Sequence, residues 1–397
     1  MKINKNYAQV GENYLFSEIA AKTRAYQAAH PKQTLIKLSI GDVSRPLPKC
    51  VVTAMQQACA DLGAAQTFHG YGPETGYPWL KEAIARYYQT SKHVTLQPTE
   101  IIISDGAKSD VANILDIFDP QCTVAMCDPV YPVYLESNLM LGRKPKFFHA
   151  TSANNFLPLP PKNLRADIIY LCNPGNPTGM HYHYQQLQQW VDFAIKTKAV
   201  LIYDAAYESF INDDQVPSSI YQIDGAKTCA IEICSLSKMA GFTGVRCGYT
   251  IVPDALKWRG VSLQKLWARR QTVKFNGTSY IVQRGAAAVF TPAGLRAIQK
   301  NLTYYRRNVR VICQTLDQLH LSYVGGVYSP YVWVRCPNGM HSWQFFDFLL
   351  EKAGIVCTPG AGFGQNGQDY IRLTGFNTYA QTVKACRRLV DVLTTGE

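Results

Sequence analysis

Short apolar runs alternating with longer amphipathic stretches dominate the chain from about residue 80 to residue 252, and this alternation constrains the fold more than any other feature. Ile101–Ser104, Thr123–Cys127, Ile168–Cys172, Val200–Tyr203, Cys229–Cys234 and Cys247–Val252 read as strands. Lys108–Phe118 and Gln185–Lys196 read as helices between them. Strands this short and this apolar along their whole length have both faces buried, and strands separated by helices are joined by crossovers. The expected class is α/β, with a parallel or mostly parallel sheet covered on both faces. After Asn276 the texture changes to a long helical stretch from Pro292 to Leu319, a strand at Tyr331–Arg335, a helix near Trp343–Ala353, a strand at Tyr370–Thr374 and a final helix from Tyr379. That pattern reads as an α+β domain packed beside the first. The first 40 residues lack the alternation and are expected to join the C-terminal part or to form an arm. The domain reading is therefore 41–275 for the large domain, and 1–40 with 276–397 for the arm and small domain.

Composition narrows the function class. The chain has 397 residues, 47% hydrophobic and 17% charged, which suits a folded enzyme of about two domains and argues against long disorder. The N-terminus stays polar and carries no signal-peptide core, and no run of 18 apolar residues appears. Twelve cysteines without a Cys-x-x-Cys pair point to reduced thiols and a cytoplasmic location. The net charge of +12 is scattered, with its densest pairs, Arg269-Arg270 and Arg306-Arg307, on helical stretches. This reads as a solvated basic surface, not a nucleic-acid footprint. His181 and His183 suggest a metal site only if further ligands join them, and otherwise a polar stretch before a helix.

Four segments carry chemistry, each with a plainer reading beside it. Ser235-Leu-Ser-Lys238 follows a buried strand, and Arg246 lies eight residues on. Two hydroxyls and an arginine suit a phosphate monoester, and a lysine amine beside them can form an imine with an aldehyde. The plain alternative is a surface lysine. Asp204 ends an apolar strand, with Tyr207 three residues on. It is either a helix cap or a carboxylate partner for a protonated pyridine nitrogen, with Tyr207 within reach of the same ring. Asn173-Pro-Gly-Asn-Pro-Thr-Gly179 is a turn, or a turn that offers Asn176 to a ring hydroxyl oxygen, with Asn176–Pro177 a candidate cis bond. Ser104-Asp-Gly-Ala-Lys108 joins a strand to a helix, where the N–H groups of Gly106, Ala107 and Lys108 would bind phosphate.

In this order, all at strand ends, the segments resemble the fold type I pyridoxal-phosphate enzymes, in the class I/II aminotransferase branch. The resemblance implies a large cofactor domain, a small domain built from both chain ends, pyridoxal 5'-phosphate on Lys238, and a homodimer with shared active sites. It implies that Tyr131 stacks on the pyridine ring and that Arg372 clamps the substrate α-carboxylate. Without it, these would read as a turn tyrosine and a strand arginine. Along nearly its whole length the chain is similar to the LL-diaminopimelate aminotransferase family. The motifs are Asn13-Tyr-Leu-Phe16, Leu38-Ser-Ile-Gly-Asp42, Gly70-Tyr-Gly-Pro-Glu-Thr-Gly76, Asp204-Ala-Ala-Tyr207, Phe275-Asn-Gly277 and Thr358-Pro-Gly-Ala-Gly-Phe-Gly364.

That family implies that Tyr71 reaches a neighbouring subunit's phosphate and that Glu74 holds the distal ammonium of the substrate. It also implies that Lys108 and Asn276 assist at the distal end, and that Tyr14 and Gly41 line the pocket. Gly175 departs from the family, which more often has Asn before Asn176. Within the same chemistry the alternatives are transfer from alanine, aromatic or other amino acids, and C–S lysis. Outside it stand a transcription regulator on the same fold, which would need an added N-terminal winged helix, and a basic nucleic-acid binder.

Overall fold

The computed structural model describes residues 1–10, 14–39 and 41–394. Asn13 and Ile40, each part of a motif named above, lie outside the described residues. Seven strands form the central sheet: β1 (Ile101–Ser104), β2 (Val124–Asp128), β3 (Lys146–His149), β4 (Ile168–Cys172), β5 (Val200–Asp204), β6 (Ala230–Ser235) and β7 (Gly248–Ile251). Their order is β1-β7-β6-β5-β4-β2-β3. All neighbours are parallel except that β7 runs antiparallel to β1 and β6. The six apolar runs named from sequence are strands within one residue of their expected ends. β3 escaped notice because Lys-Phe-Phe-His is an edge strand with three exposed positions, so it shows no apolar run.

The expected helix over Lys108–Phe118 is cut short. An α-helix, α1 (Ala107–Asn113), gives way to a 3-10 turn at Ile114–Ile117. Likewise the helix at Ser342–Phe348 ends in a π-helical turn at Leu349–Ala353. A second sheet has the order β8-β9-β11-β10, with β8 (Tyr323–Gly325), β9 (Tyr331–Arg335), β10 (Thr358–Pro359) and β11 (Tyr370–Thr374), all antiparallel. Ile36–Lys37 pairs in parallel with Ile355–Val356. Leu15 and Ile19, on the helix Leu15–Ala29, bury against the same core as Val332, Trp333 and Ile371. The N-terminal segment thus packs with the C-terminal one.

One helix spans both cores. The helix Pro292–Gln318, 27 residues or about 40 Å long, buries Ile298, Leu302 and Tyr305 with the central-sheet core. Its next buried residues, Val309, Ile312 and Leu316, enter the core of the second sheet. Between them Asn308 is fully buried and donates to the carbonyls of Gly375 (2.9 Å) and Asn377 (2.7 Å). Among the described residues no helix is long and apolar enough to cross a membrane. All twelve cysteines are free thiols.

The segment after β5 is pinned from below. Lys92 Nζ donates to Glu208 Oε2 (2.6 Å) and to the Ser218 carbonyl (2.7 Å), with both ionic side chains buried. Removing one partner strands a buried charge. Lys92→Met should lower stability by about 3–5 kcal/mol in urea unfolding, and the double change Lys92→Met/Glu208→Met should recover most of it. Equal stability of the single variant and the parent would contradict this account.

Candidate active site

β6 delivers Lys238. The strand ends at Ser235, whose Oγ accepts from Ser237 N (3.1 Å) and so starts the short helix Leu236–Ala240. Lys238 Nζ donates to the Gly41 carbonyl and lies 5.9 Å from the ring centre of Phe376. Burial lowers the Lys238 pKa to about 8; Asp42 opposes the shift, and the cations of Arg246 and Arg372 add to it. About a tenth of the amine is therefore unprotonated at pH 7, far more than for an ordinary lysine, and carries a free lone pair.

Beside it is a cationic cradle. Gly106 caps α1 at φ +129, and a Cβ there would lie 2.6 Å from Arg246 Nη2. A Cβ on Gly248 would lie 2.7 Å from Gly106 Cα, and Gly248 pairs with Ser235 across β6 and β7. Arg246 Nη1 donates to Ser237 Oγ (3.1 Å). Strand packing therefore brings the Gly106–Lys108 backbone, Ser235, Ser237 and Arg246 to one place. The first N–H groups of a helix have no partner within it. The set of these donors, two hydroxyls and one guanidinium fits a phosphate dianion.

Asp204 ends β5, register-paired with Cys172 of β4. It is buried, and its oxygens accept from the Tyr134 hydroxyl and from Ala206 N (3.0 Å). Burial raises its pKa, while these two donors pull it back. Tyr134 stacks on Tyr170 at 4.7 Å and meets Tyr131 edge-on at 5.7 Å. Tyr131 itself is the extended residue that caps the helix Pro132–Met140. Asn173 shapes the following turn by donating to Tyr203 Oη (2.8 Å) and accepting from Tyr182 N (2.8 Å). Asn176–Pro177 is cis, as are Asn173–Pro174 and Asp128–Pro129. A Cβ on Gly175 would sit 3.1 Å from Thr178 Oγ1 and 3.4 Å from the Met180 carbonyl, so a larger residue there would shift this turn.

Arg372, on β11, is 1% exposed. Its Nη1 donates to Asn176 Oδ1 (2.6 Å) and its Nη2 to the Ser39 carbonyl (2.8 Å), while Nε has no hydrogen-bond partner. The rings of Tyr331 and Phe363 lie 4.1 and 5.0 Å away. The Tyr14 hydroxyl is also buried without a well-aligned partner and faces Tyr131; Lys108 Nζ lies 4.9 Å over the Tyr14 ring. Tyr207 bonds through its hydroxyl to that of Tyr331 at 2.7 Å. These orphaned polar atoms, with the amine, the cradle and Asp204, fit a phosphorylated pyridine aldehyde and an anionic ligand next to it.

Three of the residues named from sequence stand elsewhere on the same chain. Tyr71 is 95% exposed. Gly277, which follows Asn276, packs against the backbone of Glu74, since a Cβ on Gly277 would lie 3.3 Å from Glu74 Cα. Among the described residues no hydrogen bond or ion pair joins these three to the Lys238 cluster. Sequence reasoning passed over Tyr134 and Tyr331. Tyr134 had a signal, because its spacing of three from Tyr131 puts both near one face of a helix start. Tyr331 had none, being one more apolar residue in a strand. His181 and His183 have ring centres 5.0 Å apart, and burial lowers the His181 pKa to about 4. Among the described residues no group of three or more His, Cys, Asp or Glu is disposed to hold a metal ion.

The amine can be titrated directly. Reductive trapping of a small aldehyde on cofactor-free protein, read by peptide mass spectrometry across pH, should give a half-maximal yield at Lys238 near pH 8. A midpoint at the ordinary lysine value of about 10.4 would overturn the electrostatic description.

The sequence model described as aminotransferase class I and II matches residues 33–389. The LL-diaminopimelate aminotransferase of Methanosphaera stadtmanae is 48% identical over 405 residues, covering 98% of each chain. That of Lawsonia intracellularis is 47% identical over 406 residues, again 98% of each. The solved L,L-diaminopimelate aminotransferase of Chlamydomonas reinhardtii superposes with a TM-score of 0.93 at 39% identity, covering 98% of both chains.

Proposed function

Because this chain belongs to the class I and II aminotransferases, we propose that it moves an amino group between LL-diaminopimelate and 2-oxoglutarate. The balanced reaction is LL-diaminopimelate plus 2-oxoglutarate giving tetrahydrodipicolinate, glutamate and water. The physiological direction is the reverse, towards lysine and cell-wall precursors. The observation that carries the reading is near-full-length identity of 45–48% to relatives bearing that name. A cytoplasmic homodimer acting on small amino and keto acids, with no role in binding nucleic acid or membrane, is part of the proposal. So is the division into 41–275 and 1–40 with 276–397, bridged by the helix Pro292–Gln318.

Bound pyridoxal phosphate supplies an aldehyde for an amine and an electron-withdrawing protonated ring. Gly106, Ala107, Lys108, Ser235, Ser237 and Arg246 would hold its phosphate, with Tyr71 of a second copy. Tyr131 would cover the ring, and Asn176 and Tyr207 would bond the ring hydroxyl oxygen. Asp204 holds a proton on the ring nitrogen, a role suited to a carboxylate that is buried and oriented by Tyr134. Arg372 takes the substrate α-carboxylate, which would satisfy its unpartnered Nε. Lys238 Nζ, with its lowered proton affinity, takes the proton from the substrate α-carbon as general base. Tyr14, Gly41 and Lys108 line the substrate pocket. Glu74 and Asn276 of a second copy meet the distal ammonium, and the full exposure of Tyr71 beside them supports a crossing loop.

Protein loaded with cofactor should form glutamate from LL-diaminopimelate and 2-oxoglutarate, with little from alanine, aspartate, phenylalanine or meso-diaminopimelate. Turnover of those others instead would keep the chemistry and discard the substrate. No turnover of any amino donor would favour lyase chemistry. Lys238→Ala should abolish turnover and the bound-cofactor absorbance band. Glu74→Gln should raise KM for LL-diaminopimelate about ten- to a hundredfold, the factor expected for a lost charge-assisted hydrogen bond. An unchanged KM would remove Glu74 from the substrate site.

A further inference from the structure

Tyr331 belongs to none of the roles assigned above, yet it touches several of them. It opens β9 and is 1% exposed. Its hydroxyl meets that of Tyr207 at 2.7 Å, and its ring lies 4.1 Å from the Arg372 guanidinium. A Cβ on Gly41 would fall 2.3 Å from the Tyr331 hydroxyl, so this contact requires the glycine. The backbone is held as well: Tyr331 N donates to Ser329 Oγ (3.2 Å) and its carbonyl accepts from Gly326 N (2.9 Å). Tyr331 comes from the second sheet, whereas Tyr207 follows β5 of the central one. Its hydroxyl is therefore a direct bond between the two halves of the centre.

Each phenol carries one hydrogen, so in this pair one hydroxyl donates and the other accepts. The cation over the Tyr331 ring makes it the more acidic phenol, and the more acidic hydroxyl is the better donor. We propose that Tyr331 is a positioning residue: it donates to Tyr207 Oη, leaving the single Tyr207 hydrogen for the ring oxygen of the cofactor, and its ring holds Arg372 in place. The inference rests on the aminotransferase reading. A donor that itself accepts a hydrogen bond is strengthened by it. Tyr207 should thus bind the ring oxyanion more strongly with Tyr331 in place, and a stronger bond to that oxyanion lowers the pKa of the bound chromophore.

The test is a pH titration of the visible absorbance of the holoenzyme, comparing the parent with Tyr331→Phe, Tyr207→Phe and the double variant. Tyr331→Phe should raise the apparent pKa by about 0.5 to 1, the size of one hydrogen bond. Tyr207→Phe should raise it further. The double variant should match Tyr207→Phe alone, because Tyr331 acts through Tyr207. A pKa unmoved or lowered by Tyr331→Phe, or two additive shifts, would overturn the proposal. If Tyr331→Phe fails to hold cofactor, Gly41→Ala displaces the same hydroxyl and should shift the pKa the same way; no shift there counts against the proposal. For the ring, the dissociation constant of 2-oxoglutarate should change less than twofold in Tyr331→Phe and weaken about three- to thirtyfold in Tyr331→Leu. Equal binding by Leu and Phe variants would remove the Arg372 role. A parent protein that shows no absorbance band of lysine-bound cofactor at any pH would instead defeat the pyridoxal-phosphate reading of the site.

Discussion

The centre is organised around a buried cation. Arg372 is almost wholly withdrawn from water, and among the described residues no ion pair includes it. A desolvated guanidinium is costly unless its donors are engaged. Here the engagement comes from neutral acceptors, the Asn176 amide and the Ser39 carbonyl, and from flanking aromatic rings. Those partners come from the turn after β4, from the N-terminal segment and from the second sheet. Meeting the needs of one charge therefore fixes three parts of the chain relative to each other. The same arrangement leaves Nε free, so the site keeps a strong attraction for a carboxylate.

Lys238 depends on that cation. Arg372 and Arg246 both act against protonation of its amine, on top of burial. The cradle at Gly106 and Arg246 and the clamp at Arg372 therefore do two things at once. Each favours an anion at its own position, and together they ease deprotonation of the Lys238 amine to its nucleophilic form. Asp204 is the opposite case. Burial works against its charge, and the Tyr134 hydroxyl and the Ala206 N–H offset that cost. A proton shared with a ring nitrogen would complete the same balance.

Geometry between the halves follows from packing. The helix Pro292–Gln318 carries buried faces into both cores, with Asn308 bonded between them. The Tyr207–Tyr331 contact crosses the same boundary.

Much of this was legible in the residues. Six apolar runs identified central-sheet strands because strands buried on both faces cannot hide their composition, whereas the largely exposed strand Lys146–His149 could. Lys238, Asp204, Asn176 and the Gly106 turn stood out because each lies directly beyond a strand, where sequence neighbours are also neighbours in space. The placement of the first 40 residues was open from sequence; in the structure Leu15 and Ile19 pack with Val332 and Ile371, and Ile36 pairs with Ile355. The sequence by itself therefore determined the sheet, the strand-end chemistry and the local turns, since these depend on contacts a few residues apart. The tertiary structure alone decided that Arg372 meets Asn176 across 196 positions, that Lys238 reaches Gly41 across 197, and that Tyr331 meets Tyr207. Such contacts are set by how two cores pack, and no local pattern of residues encodes that packing.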